Sequence, residues 1–269
     1  MTNNLSVESV WNDLQAIKVK SPLIHNITNY VVMNSTANAL LALGASPIMA
    51  HAQEELEDLI GISNALVINI GTLSSYWIES MKIAIRLAKV RGIPIVMDPV
   101  GVGASRLRTQ VAQELLKLGP PTVIRGNGSE ILALTSDLVR TKGVDSTAAS
   151  QSALDAAREL VEHFSCTVVI SGEIDLIVNK TGILKINNGH PIMTKVTGMG
   201  CAATTFVAAF NTINPSPLMA SAHSMAVMGI AGEIAESRSS GPGSFPAAFL
   251  DSVYNLKKED IQKHLRMNL

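Results

Sequence analysis

The residues of this chain best suited to chemistry lie in the run Val196-Thr197-Gly198-Met199-Gly200-Cys201, which opens directly into the apolar stretch Ala202 to Phe210. A glycine-rich turn leading into a helix leaves backbone N–H groups unpaired and adds the positive end of the helix dipole. Such a turn can hold a phosphoryl group without a lysine. Cys201, on its lip, is a candidate for chemistry. Taken alone, the window reads more simply as a tight turn followed by a small buried thiol, the usual setting of a free cysteine.

Asp98, after the apolar run Ile95-Met97 and before Pro99, is either a turn former or half of a carboxylate pair with Glu130. Such a pair suits Mg²⁺, which prefers oxygen ligands and keeps several waters. Glu130 also reads as a first-turn helix residue, where negative charge is favourable. Arg125, at a strand end, offers a planar donor fork to a phosphate, or an ion pair to Glu130 or Asp98. His25-Asn26-Ile27-Thr28-Asn29 places a histidine in a strand and Asn29 where it can cap a helix. Met49 fills core space or flanks a flat ring. No G-x-x-x-x-G-K-[ST], no G-x-G-x-x-G after the first strand and no G-x-S-x-G is present, which argues against P-loop, Rossmann and nucleophile-elbow readings. Gly101-Val102-Gly103-Ala104 reads as a flexible loop.

These residues need a scaffold, and from residue 22 short apolar runs alternate with helical patterns, the signature of parallel strands joined by crossover helices. Candidate strands are Leu23-Ile27, Ile48-Ala50, Leu66-Ile70, Ile95-Met97, Val123-Arg125 and Thr167-Ser171, mostly too continuously apolar to have a wet face. Helices over Tyr30 to Leu43 and Tyr76 to Arg91 end at Gly44 and Gly92, where left-handed C′ residues belong. Leu176-Asn179 and Ile183-Asn187 flank Lys180-Thr181-Gly182 as an antiparallel hairpin. Helices follow over Ala202 to Asn211, Leu218 to Ser237, Phe245 to Leu256 and Glu259 to Met267, with Ser237 to Pro246 as a loop. No linker or repeat divides the chain, so a single α/β domain over 1-269 is expected. In such sheets ligands bind beyond the carboxyl ends of the strands. There stand Gly71-Thr72, Asp98-Pro99, Gly126-Asn127-Gly128-Ser129-Glu130 and Gly172-Glu173.

A 47% hydrophobic, 16% charged composition over 269 residues gives a large apolar core, with apolar surface left over for another subunit. A net charge of −1 and no basic run leave no footprint for nucleic acid or an anionic membrane. Met1 to Leu14 lacks the basic and apolar regions of a signal peptide, and the longest apolar runs fall short of the roughly 20 residues of a membrane span. Cys166 and Cys201 show no metal-ligand spacing and suit a reducing compartment. A cytoplasmic protein with small-molecule partners is expected.

Several of these segments together resemble the hydroxyethylthiazole kinase family of the ribokinase-like superfamily, from about Ser21 to Leu256. The matching text is His25-Asn26-Ile27-Thr28-Asn29, Thr36-Ala37-Asn38, Leu43-Gly44-Ala45-Ser46-Pro47, Asp98-Pro99-Val100, Arg125-Gly126-Asn127, Met193-Thr194-Lys195-Val196, Gly198-Met199-Gly200-Cys201 and Gly241-Pro242-Gly243-Ser244-Phe245. The resemblance implies a central, mostly parallel sheet with helices on both faces. It implies ATP-dependent phosphorylation of the alcohol of 4-methyl-5-(2-hydroxyethyl)thiazole with Mg²⁺, in thiamine salvage, by a homotrimer with interfacial sites. Carried over residue by residue, Met49, Gly198 and Asn29 would contact the thiazole, Arg125 and Ser171 the ATP, and Asp98 with Glu130 the magnesium. Gly198 and Gly200 would form the anion hole, with Cys201 beside the reacting hydroxyl, positioning it and assisting its deprotonation late. Gly128, where the family more often has a small side chain, and the bulky Met199 depart from the pattern. Kinases of pyridoxal or hydroxymethylpyrimidine and dehydratases of NAD(P)H hydrate usually carry aspartate at the cysteine position. A non-catalytic vitamin or nucleotide sensor would not need Asp98, Arg125, Glu130 and Cys201 all intact.

Overall fold

A computed structural model describes residues 5–135 and 149–268. The polypeptide begins with helix α1 (Val7–Lys20), whose first turn is closed by a reciprocal Ser6–Ser9 capping box. Strand β1 (Leu23–Ile27), helix α2 (Met33–Leu43), strand β2 (Ser46–Met49), helix α3 (Leu56–Ile62) and strand β3 (Ala65–Asn69) follow. Next come α4 (Ser75–Arg91), β4 (Ile95–Asp98), α5 (Arg106–Leu118), β5 (Val123–Asn127), α6 (Gly128–Thr135), α7 (Ala149–Phe164) and β6 (Thr167–Ser171). A hairpin of β7 (Asp175–Asn179) and β8 (Gly182–Ile186) leads through a 3-10 turn at Pro191–Lys195 into α8 (Met199–Asn211), α9 (Pro217–Ser237), α10 (Phe245–Tyr254), α11 (Lys258–His264) and β9 (Met267–Asn268).

Among the described residues, nine strands form one sheet in the order β2-β1-β3-β4-β5-β6-β7-β8-β9. Strands β1 to β6 run parallel, and the hairpin and β9 add an antiparallel edge. The expected mostly parallel sheet is therefore present. Alternation along each strand sends its side chains into two cores. In β3, Ala65 and Val67 join the core under α1, α2, α8, α9 and α10, whereas Leu66 and Ile68 join the one under α3, α4, α5 and α7. Because β1 leads outward to β2 and the chain then returns to β3 on the other side, strand order reverses between β1 and β3. That reversal opens a crevice at the carboxyl ends of those two strands.

Several boundaries differ from the sequence pattern. Helix α2 starts at Met33, not Tyr30, because the Asn29 side chain turns back to accept the Val31 N–H at 3.1 Å; Val32 is the N-cap and makes no side-chain cap. Asn29 is thus not a helix cap. The edge strand β2 begins at Ser46, and Pro47 is tolerated there because its missing N–H faces no partner strand. Asp98 and Asn127 are strand residues, not loop residues, and the strand that contains Arg125 runs two residues further than its apolar pattern. The last helix stops at His264, and the chain instead adds β9 against β8, a pairing too short to leave a period in the sequence. Gly101 to Ala104 is a pinned turn: the Gly101 N–H donates to Glu130 Oε1, and Arg108 donates to Val100 O. Helix α9 is the one described helix long and apolar enough to cross a bilayer, but 83% of that window is packed among the other elements.

Candidate active site

Gly198 carries the local geometry on which the site depends. Its φ of +88° belongs to the left-handed region, and a Cβ there would lie 3.0 Å from Val32 Cγ1. The turn it allows starts α8 so that Ala202 makes the first intrahelical bond, to Gly198 O. The N–H groups of Met199, Gly200 and Cys201 are left without a helical acceptor, which makes an anion cradle.

Arg125, two residues before the end of β5, reaches this cradle, close enough that a Cβ on Gly200 would stand 2.7 Å from its Nη1. Its Nη2 donates to Ser171 Oγ at 2.6 Å, from the end of β6, and its Nε is buried with no partner. Among the described residues it makes no ion pair, so the guanidinium is positioned by Ser171 with donors to spare. A cavity of about 690 Å³ opens beside it, lined by Arg125, Ser171 and Gly200 and by the thioethers of Met193, Met199, Met225 and Met228. Its size and soft apolar walls suit a nucleotide base. Asp175 lies in the same wall, accepting the Gly172 N–H, and burial raises its carboxyl to about 7 against the opposing pull of Arg125.

On the other side of the cradle lies the crevice between β1 and β3. Asn29 follows β1, Asn69 ends β3, and Cys201 sits over both, its Sγ 3.2 Å from Asn69 Nδ2 and 3.6 Å from Asn29 Nδ2. Burial, followed by the Asp98 charge, pushes the Cys201 thiol up to about 12, with the two amides and Arg125 opposing. Asp98, fully buried at the end of β4, accepts from Asn69 and Thr204 through Oδ2, while Oδ1 has no partner. Burial lifts its carboxyl to about 6 despite Arg125. Glu130, in the first turn of α6, accepts the Gly101 and Asn127 N–H groups. Met49 ends the edge strand beside Asn26, half-buried, and does not line the cavity beside Arg125.

The structure thus brings Asn29, Asp98, Arg125, Ser171, Gly198, Gly200 and Cys201 to one rim, with Glu130 behind the Gly101 turn. Asn69 and Thr204 belong to the same cluster and escape the sequence pattern. Asn69 sits inside an apolar strand run and Thr204 inside an apolar helix run. The only signal was one asparagine in the strand run and the pair Thr204-Thr205 in the helix run. Arg108 is another: it ties Gly71 O to Val100 O, joining the loops after β3 and β4.

A parallel sheet covered on both faces, with a glycine-turn anion cradle between a nucleotide-sized cavity and a polar crevice, defines the ribokinase-like small-molecule kinases. A ribokinase-like superfamily protein from Enterococcus faecalis superposes with a TM-score of 0.66 at 13% identity, covering 93% of this chain and 94% of that one, a likeness of fold. Within that class the chain belongs to the hydroxyethylthiazole kinase family, whose family model matches residues 14–259. It is similar to the hydroxyethylthiazole kinase of Syntrophus aciditrophicus, at 56% identity over 98% of both chains. It is also similar to that of Leptospira biflexa, at 51% identity over 96% of this chain and 97% of the other. The structure of the hydroxyethylthiazole kinase protein from Pyrococcus horikoshii has a TM-score of 0.90 at 39% identity, covering 97% and 98% of the two chains.

Proposed function

We propose that this chain transfers the γ-phosphoryl group of ATP to the hydroxyethyl group of 4-methyl-5-(2-hydroxyethyl)thiazole, serving thiamine salvage, as one domain over its length. The observation that carries the reading is how α8 divides the site. Gly200 and Ala203 line the large cavity, whereas Cys201, about 100° further round the helix, faces Asn29 and Asn69. A phosphoryl group held by the Gly198–Cys201 N–H groups has donor space on one side and acceptor space on the other. Phosphoryl transfer needs that alignment and charge neutralisation more than covalent help.

Arg125, bonded to Ser171, holds the nucleotide phosphates through its unpaired Nε and its remaining donors. Asn29, Met49 and Gly198 flank the thiazole. The buried, unpartnered Asp98 Oδ1 fits a cation nearby, and Asp98 and Glu130 would hold Mg²⁺ through its waters. When bound, the metal neutralises charge developing on the phosphates. Cys201, held as a thiol at neutral pH by its buried position, points the substrate hydroxyl at phosphorus rather than acting as a strong base. A loose transition state suits this division of labour, because the hydroxyl proton leaves late.

Exposed Tyr30 and Val31 beside Asn29, and Met49 on an unpaired sheet edge, support a homotrimer whose neighbouring subunit completes the acceptor side. Two unpaired cysteines suit the cytoplasm. A substrate panel with ATP and Mg²⁺ tests the assignment. The thiazole alcohol is expected to be phosphorylated at least tenfold more efficiently than pyridoxal or hydroxymethylpyrimidine. Preference for either of the latter overturns the substrate.

A further inference from the structure

The Asn69 side chain has every hydrogen-bonding valence committed. Its Oδ1 accepts from the Gly71 N–H and from Asn29 Nδ2, both at 2.9 Å. Its Nδ2 donates to Asp98 Oδ2 at 2.9 Å and to Cys201 Sγ at 3.2 Å. A backbone N–H can only donate, so Gly71 fixes which end of the amide is oxygen and leaves the two Nδ2 hydrogens for Asp98 and Cys201. Asn29 is fixed in the same way, because its Oδ1 accepts the Val31 N–H. Both amides therefore aim donors at the sulfur, and a buried polar group with all partners satisfied does not swing. Gly71 has no room for a side chain here, since a Cβ would lie 2.6 Å from Asn29 Nδ2, which keeps the loop after β3 pressed on this pair. Asp98, in contrast, keeps a second donor in Thr204 Oγ1 at 2.8 Å and does not depend on Asn69 alone.

We infer that Asn69 is a positioning residue for phosphoryl transfer: clamped by Gly71 and Asn29, its amide occupies one side of the Cys201 sulfur and thereby sets the direction in which Cys201 meets the acceptor hydroxyl. This rests on the reading of Cys201 as the group facing that hydroxyl. Asn69 does not line the cavity beside Arg125, so its loss acts on the transfer step and not on nucleotide binding.

A double-mutant cycle separates the two claims. Asn69→Ala lowers kcat on the order of tenfold in the otherwise native protein, with the KM for ATP unchanged, and less than threefold when Cys201 is already alanine. Asn69→Ser is carried through the same cycle beside it, so that a folding defect in one variant does not decide the result, and thermal unfolding is followed for each. An equal factor in both backgrounds, or no loss in the native background, overturns the role of Asn69, and a merely structural role produces such an equal factor. Native kcat in Cys201→Ala alone overturns the reading of Cys201, and is measured with Asn69 intact.

Discussion

At position 201 the protein places a sulfur between the amide donors of Asn29 and Asn69, and its surroundings favour the neutral thiol. Cys201→Asp, in a protein that remains folded, is expected to keep turnover, since a carboxylate can also point the hydroxyl and accepts the same amide donors. Abolished turnover would show that the thiol itself is required. Gly200→Ala tests the cradle from the nucleotide side. Its new Cβ crowds Arg125 Nη1 without backbone strain and should raise the KM for ATP roughly tenfold, the loss of one charged hydrogen bond, as steady-state kinetics would show. Gly128, by contrast, has room: a Cβ there lies 3.5 Å from Ala153 Cβ. Gly128→Ala is expected to leave activity intact and to stabilise α6 by about 0.5 kcal/mol, measured by denaturant unfolding. At this scale the sequence revealed residues with a motif around them, such as Gly198 and Arg125. It hid Asn69, whose importance lies in three partners that only folding assembles.

The elements explain why those partners meet. Residues at the ends of β1, β3, β4, β5 and β6 converge on one rim because parallel strands all finish on the same side, and that much was legible from alternating runs and punctuating glycines. Register was not, since Asp98 and Arg125 lie inside strands by one or two residues. Nor was the C-terminal edge, where β9 brings Arg266 beside Glu233 and the cavity wall. The hairpin start at Asp175 yields a pH prediction. Its carboxyl stands at about 7 in the folded state against 3.8 ordinarily, so the stability that protonated Asp175 contributes is fully present below about pH 3.8 and is lost as pH rises through 7. Asp175→Asn keeps an acceptor for the Gly172 N–H. It should leave stability near pH 4 unchanged and raise Tm by a few degrees at pH 8. An equal shift at both pH values would contradict the burial argument.

Across the whole molecule, helix α8 stands between the cavity proposed for the nucleotide and the crevice proposed for the acceptor, which lies toward the β2 edge of the sheet. Association there should be visible in solution: light scattering on the purified protein is expected to return the mass of three 28.5 kDa chains. Charged substitutions at Tyr30 or Val31 should break it up and lower activity together. Fold class and reaction could be anticipated from the sequence because the motifs are spread over most of the chain. Assembly could not be derived from composition, which gives surplus apolar surface without its location. The central claim is that the cradle of α8 passes a phosphoryl group from ATP to the thiazole alcohol. ADP release measured with saturating hydroxyethylthiazole, ATP and Mg²⁺ tests it most directly: the account predicts release well above a substrate-free control, and release no greater than that control would contradict it.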